Sequence, residues 1–123
     1  MIIRQEQLDV LQSKSSRSFE RRAIAHLHTA FPEWAAWAGD ERLLLLVHLG
    51  FRRARRWNLT GAQDICRFVD LMVAISPEFD DDPRFPWVRR ILGQKHVSAT
   101  TRIGRVHECF RQYFARMAST PER

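Results

Sequence analysis

Apolar residues recur at steps of three and four along nearly the whole chain, and runs that alternate apolar with polar are scarce. That period is helical, since about 3.6 residues complete a turn, and it argues against a sheet-based fold. From about Arg4 to Ala30 the pattern reads as one long helix with Leu8, Leu11, Phe19, Ala23, Leu27 and Ala30 as its stripe. Ser13, Ser15, Ser16 and Ser18 weaken its middle, because serine hydroxyls compete for nearby backbone groups. Pro32 ends it, since the residue before a proline is pushed out of the α region.

A second helix is expected from Asp40, as N-cap, to about Trp57, with Leu43, Leu46, Val47, Gly50, Ala54 and Trp57 at helical spacing and Leu44 and Leu45 widening its apolar surface. Thr60 and Gln63 read as a capping box for a third helix, whose stripe is Ala62, Ile65, Phe68, Val69, Met72 and Ile75 and which ends before Pro77. Between Ser76 and Pro86 lies an acidic loop punctuated by prolines. A short helix follows through Trp87, Val88, Ile91 and Leu92, closed by Gly93. Ser98 is expected to cap the last helix, with Ile103, Val106, Phe110, Tyr113, Phe114 and Met117 as its stripe. The resulting expectation is an all-α fold, an irregular bundle of about five helices with a long N-terminal helix. A chain of 123 residues fits one domain, expected over residues 1–118, with 119–123 a frayed tail.

With 45% hydrophobic residues the chain can bury a proper core. No apolar run approaches the roughly 18 residues that cross a bilayer, and Met1 to Asp9 lacks the apolar centre of a secretory leader. A cytoplasmic location is expected from this. Cys66 and Cys109 lie on different expected helices and read as free, buried thiols. The net charge is +6, and arginine supplies most of it. It is uneven: residues 58–92 carry four basic and six acidic side chains, whereas residues 93–123 carry six basic and two acidic. Arginine forks pair with carboxylates as readily as with phosphates, so charge alone leaves the partner open.

No constellation reads as catalytic or metal-binding. His26 and His28 are two apart and fall on different helix faces, and His48, His96 and His107 are solitary. The expectation is a protein that is not an enzyme and holds neither cofactor nor metal. Asp80, Asp81 and Asp82 lack the spaced ligands and glycine of a calcium loop, and read as a turn or helix cap. Arg52, Arg53, Arg55 and Arg56 beside Trp57 form the sharpest basic feature. The cluster fits a solvated helix end, favoured by the helix dipole; it also fits an acidic protein surface, or phosphates with stacked bases. Trp34 and Trp37, expected to flank a loop after Pro32, are either a binding surface or covers for the bundle ends. Phe79, Phe85 and Trp87 are expected to dock the acidic loop on the bundle, with Trp87 in the core.

Several of these residues also form a recognisable pattern. Phe19, Arg22, His26-Leu27 and Phe31-Pro32 in the first helix are followed by Gly50 and Ala54 in the second. The pairs Phe79-Asp80, Asp82-Pro83 and Pro86-Trp87 come next, with Ile91-Leu92 after them. In this the chain resembles small helical proteobacterial proteins often encoded beside type VI secretion spike and toxin genes. The pattern covers most of residues 1–92 and fades across the last helix. Trp57-Asn58 stands where that pattern more usually has a tyrosine-glycine turn. The resemblance implies a non-catalytic, protein-binding accessory role, such as an adaptor or chaperone for a toxin effector or spike protein. An immunity-type toxin inhibitor and a basic nucleic-acid-binding module are the alternative expectations.

Overall fold

The computed structural model describes residues 17–119. The first helix's expected turns up to residue 16, with Leu8, Leu11 and most of the serines, lie outside the described residues, as does the expected tail beyond Ser119. Among the described residues every regular element is helical: α1 (described over 17–30), α2 (Pro32–Ala38), α3 (Asp40–Arg55), α4 (Ala62–Ala74), one 3₁₀ turn (Phe79–Asp81), α5 (Pro86–Leu92) and α6 (Ala99–Ser119). The all-α expectation is met, with α2 as a helix beyond those expected. None of these helices is long and apolar enough to cross a membrane. Contacts gather into two compact units, Met1–Leu49 and Gly50–Arg123.

In the first unit, Ala23 and Leu27 are the buried positions of α1, one helical turn apart. Pro32 does end this helix, but it also begins another. A proline is well placed in the first turn, where its missing N–H would have had no partner, so the stretch with Trp34 and Trp37 is helical and not a loop. Gly39 then takes φ 85°, a conformation that residues with a Cβ rarely adopt, and re-aims the chain into α3. The Leu43 N–H donates to the Gly39 carbonyl, so Asp40 is the first residue of the helix and not its cap. Its carboxylate instead meets His28 Nε2 at 2.8 Å, while Glu20 meets His48 Nε2 at 2.5 Å.

In the second unit the last turns of α3 lie tight against α4. A Cβ on Gly50 would collide with Val69 Cγ2 and sit 3.2 Å from Met72 Sδ, so only glycine permits this approach. The helix stops at Arg55, short of Trp57. The Leu59 N–H reaches back to the Ala54 carbonyl at 3.1 Å and the Asn58 N–H to the Arg55 carbonyl at 3.0 Å. Asn58 sits between at φ 60°, and Ala54 and Leu59 are both fully buried. This is a Schellman ending with asparagine in the left-handed seat that glycine usually fills. Asn58→Ala should therefore cost about 1 kcal/mol, because a Cβ-bearing residue without asparagine's local hydrogen bonding is strained there, whereas Asn58→Gly should be neutral or slightly stabilising. Urea midpoints of the two variants against wild type give the comparison; an unaffected alanine variant would contradict this ending.

The capping box expected at Thr60 and Gln63 does not form. Gly61, in extended conformation, precedes α4 and no side chain caps it. The start has moved because Asp64 is turned inward, accepting the Thr100 hydroxyl at 2.9 Å. His107 Nε2 meets the Arg67 carbonyl at 2.9 Å, a second tie between α4 and α6. Ser98 does cap α6: its Oγ accepts the Thr101 N–H at 3.2 Å. Ile65, Phe68, Val69, Met72, Phe79, Val88, Leu92, Ile103 and Val106 fill the core of this unit. Cys66 and Cys109 are half-buried, not enclosed as the sequence predicts.

Candidate functional site

Three groups of sequence-predicted residues have defined places. The first is the arginine cluster, which the structure joins to the acidic loop. Arg53 donates to Asp80 Oδ1 through Nη2 at 2.6 Å and Nε at 3.1 Å, and Nη2 also reaches Asp81 at 3.1 Å. The Trp57 indole N–H donates to Asp80 Oδ2 at 3.0 Å. Arg56 pairs with Asp81 at 3.1 Å and approaches Asp80 at 3.7 Å. The Asp80 carboxylate is completely buried and the Arg53 side chain retains only 16% of its exposure. The cluster is thus divided: Arg53 is a structural clamp, Arg56 is half engaged, and Arg52 and Arg55 face solvent. The Arg55 guanidinium lies 5.8 Å from the Phe51 ring centroid.

Electrostatics follow from these contacts. Burial works against the charge of Arg53, but the hydrogen bond and charge of Asp80 outweigh it and hold the guanidinium more firmly protonated than usual. The Arg56 hydrogen bond, aided by the charges of Arg56 and Arg53, keeps the Asp81 carboxyl below the usual carboxylate range. A carboxyl depressed in the folded state contributes stability that is complete above its unfolded pKa, about 3.9, and is lost as pH falls through the folded value. Asp81 is partly exposed, so the effect is small and salt-sensitive. Asp81→Asn should accordingly melt lower than wild type at pH 7, with the gap closing below about pH 4. Thermal melts at both pH values decide it, and a gap that widens on acidification would contradict the pairing.

The second group is the loop signature. Phe79 is fully buried against Phe68, with ring centroids 4.8 Å apart, and Phe85 is buried 5.0 Å from Phe110. Asp82 accepts both the backbone N–H and the guanidinium of Arg84, closing the turn at Pro83. The Arg84 hydrogen bonds hold the Asp82 carboxyl below its ordinary range. Pro86 opens α5 from its first turn. The loop is docked as the sequence predicts, but Trp87 is half-buried and not core. Its ring centroid lies 4.7 Å from that of Phe110, the two planes tilted by 57°. The acidic run is structural in every member.

Trp34 and Trp37, the third group, are exposed on α2, Trp37 to 72% with the Arg42 guanidinium 5.6 Å from its ring. Sequence reasoning missed a fourth feature. The stripe of α6 is buried through Ile103, Val106 and Phe110, then emerges: Tyr113, Phe114 and Met117 are 38%, 44% and 56% exposed. Tyr113 and Phe114 form an edge-to-face pair at 5.1 Å, with Phe85 at 5.7 Å from Tyr113 and Phe110 at 6.2 Å from Phe114. The signal was present in the length of α6, whose 21 residues far outrun the 7 of α5.

No known protein family matches this chain, and no curated protein or solved structure matches it significantly. Among the described residues no group of His, Cys, Asp and Glu side chains converges as a metal site requires. The exposed aromatic end of α6 is chemically suited to burying apolar surface of another molecule. The arginine–aspartate network, by contrast, is closed upon itself.

Proposed function

We propose that this chain is a non-catalytic accessory protein of the bacterial cytoplasm that works by binding another protein. The observation that carries the reading is the run Tyr113, Phe114 and Met117, large apolar side chains left exposed at the end of an otherwise buried stripe. Exposed aromatics gathered on one element mark interaction surfaces more often than chance exposure. The signature Phe79-Asp80, Asp82-Pro83 and Pro86-Trp87 directs the choice of partner, through its resemblance to accessory proteins of type VI secretion, to a toxin effector or spike protein.

Nucleic acid is the weaker reading, because Arg53 is spent on Asp80 and Asp81 and Arg56 is half engaged, which leaves Arg52 and Arg55 as the fully open forks of the cluster. The test is a pull-down of the tagged chain from nuclease-treated lysate of the source cell. A stoichiometric effector or spike protein retained at about 0.5 M salt, where exposed charge contacts are largely screened, supports the reading. Loss of every partner on nuclease treatment overturns it. Rescue of growth by co-expression with a captured toxin would make the role an immunity protein and not an adaptor.

A further inference from the structure

We infer that the outer end of the α6 stripe docks an amphipathic helix of the partner protein, one whose apolar stripe is bordered by acidic residues. The inference rests on the protein-binding reading and specifies its surface and the chemistry that fits it. At about 1.5 Å per residue α6 is about 31 Å long, whereas its packing neighbours α4 and α5 are about 20 Å and about 10 Å. Elements packed on α6 therefore cover its first turns and leave the last ones bare. What remains exposed is a short ridge with helical spacing, Tyr113 and Phe114, then Met117, which continues outward from the buried Phe110. A second helix laid along such a ridge interdigitates its own i, i+3 and i+4 side chains, so the shape calls for a helix.

Charge selects which helix. Residues 83–119 hold eight basic side chains and one acidic, Glu108. Asp82 and Glu108 engage Arg84 and Arg111, at 2.7 Å and 2.5 Å, and Arg89 approaches Asp81 at 3.9 Å, but Arg90, Lys95 and Arg105 remain as an exposed positive surplus. A field of this sign speeds and favours docking of an acidic segment and opposes a second copy of the same surface. Phosphate strands are disfavoured for a different reason. Arg84 and Arg111 have their forks closed on carboxylates, and the Tyr113 ring is engaged edge to face by Phe85 and Phe114 while Phe114 lies nearly parallel to Phe110, so these rings are committed to one another.

The test uses two synthetic helical peptides with the same leucine stripe, one flanked by glutamate and one by lysine, together with a labelled thymidine oligonucleotide. Fluorescence anisotropy with the full chain should show micromolar binding of the glutamate peptide, at least tenfold tighter than the lysine peptide. Met117→Asp alters the most exposed of the three side chains, so it should weaken binding tenfold or more while leaving the melting temperature unchanged. Phe114→Asp should weaken binding as much, with a small fall in melting temperature because it also gives up ring contacts to Phe110 and Tyr113. Equal affinity for the two peptides, no affinity for either, or oligonucleotide binding that Phe114→Asp abolishes would overturn the assignment, as would a wild-type dimer that Phe114→Asp dissociates. The broader reading fails separately: if Phe114→Asp still captures the effector or spike protein from lysate, the partner sits elsewhere and only this surface is wrong.

Discussion

Asp80→Ala should destabilise the protein by about 3–5 kcal/mol, the scale expected when one member of a buried ion pair is removed and the other left in place. Asp80 is fully buried and accepts from Arg53 twice and from Trp57 once. Without it, a guanidinium with little access to water keeps only its 3.1 Å contact to Asp81, and an indole N–H loses its acceptor. Against a typical total of about 5–15 kcal/mol, such a loss threatens folding at physiological temperature. Asp80→Asn should be milder, about 1–3 kcal/mol, because donors converge on both oxygens and one of them must then face an amide NH₂. The diagnostic experiment is a double-mutant cycle with Arg53→Met by urea denaturation. Arg53→Met in the Asp80→Ala background should cost far less than in wild type, because it removes the stranded charge. Additive losses would show that the two residues are not coupled.

This clamp explains both what the sequence disclosed about the arginine cluster and what it concealed. Helical spacing placed Arg52, Arg53, Arg55 and Arg56 at the end of α3, and the acidic run was legible as structural. Nothing in the spacing could pair them, since Arg53 and Asp80 are 27 positions apart and the contact is tertiary. Periodicity likewise reports which face of a helix is apolar, but not where its neighbours end. Tyr113, Phe114 and Met117 continue the stripe of Ile103, Val106 and Phe110 without a break, yet only the inner part is covered. Local signals misled where two were in competition. Pro32 stops one helix and starts another, and both are consequences of a missing N–H and a fixed φ. Asn58 reads as a departure from a tyrosine-glycine turn, but its φ of 60° performs the same backbone service. Thr60 and Gln63 had the right residue types for a cap, and lost to the tertiary bond between Asp64 and Thr100.

Arg102 is the residue least legible in advance, and its removal is expected to rival the loss of Asp80. It lies in the first turn of α6, where a cation is opposed by the helix dipole, so sequence rules give it no role. In the structure it is buried and donates to carbonyls: Nη1 to Trp57 at 2.8 Å and to Leu92, and Nε to Val97 at 2.9 Å. These oxygens belong to the turn after α3, the last residue of α5 and the loop before α6. One planar fork thus gathers three chain segments, and its charge offsets the negative end of α5. Arg102→Met retains much of the apolar stem and leaves the carbonyls without their donor, at a cost of about 1–3 kcal/mol for each that water cannot reach. A total near 3–5 kcal/mol is expected for Arg102→Met, and Arg102→Lys should recover only part of it, because a single ammonium cannot span the same oxygens. Urea denaturation measures both variants, and amide hydrogen exchange should show protection lost first around Leu59 and Gly93, where those segments end. If Arg102→Met stayed within about 0.5 kcal/mol of wild type, the size expected of an ordinary surface substitution, the guanidinium would not be holding these ends together.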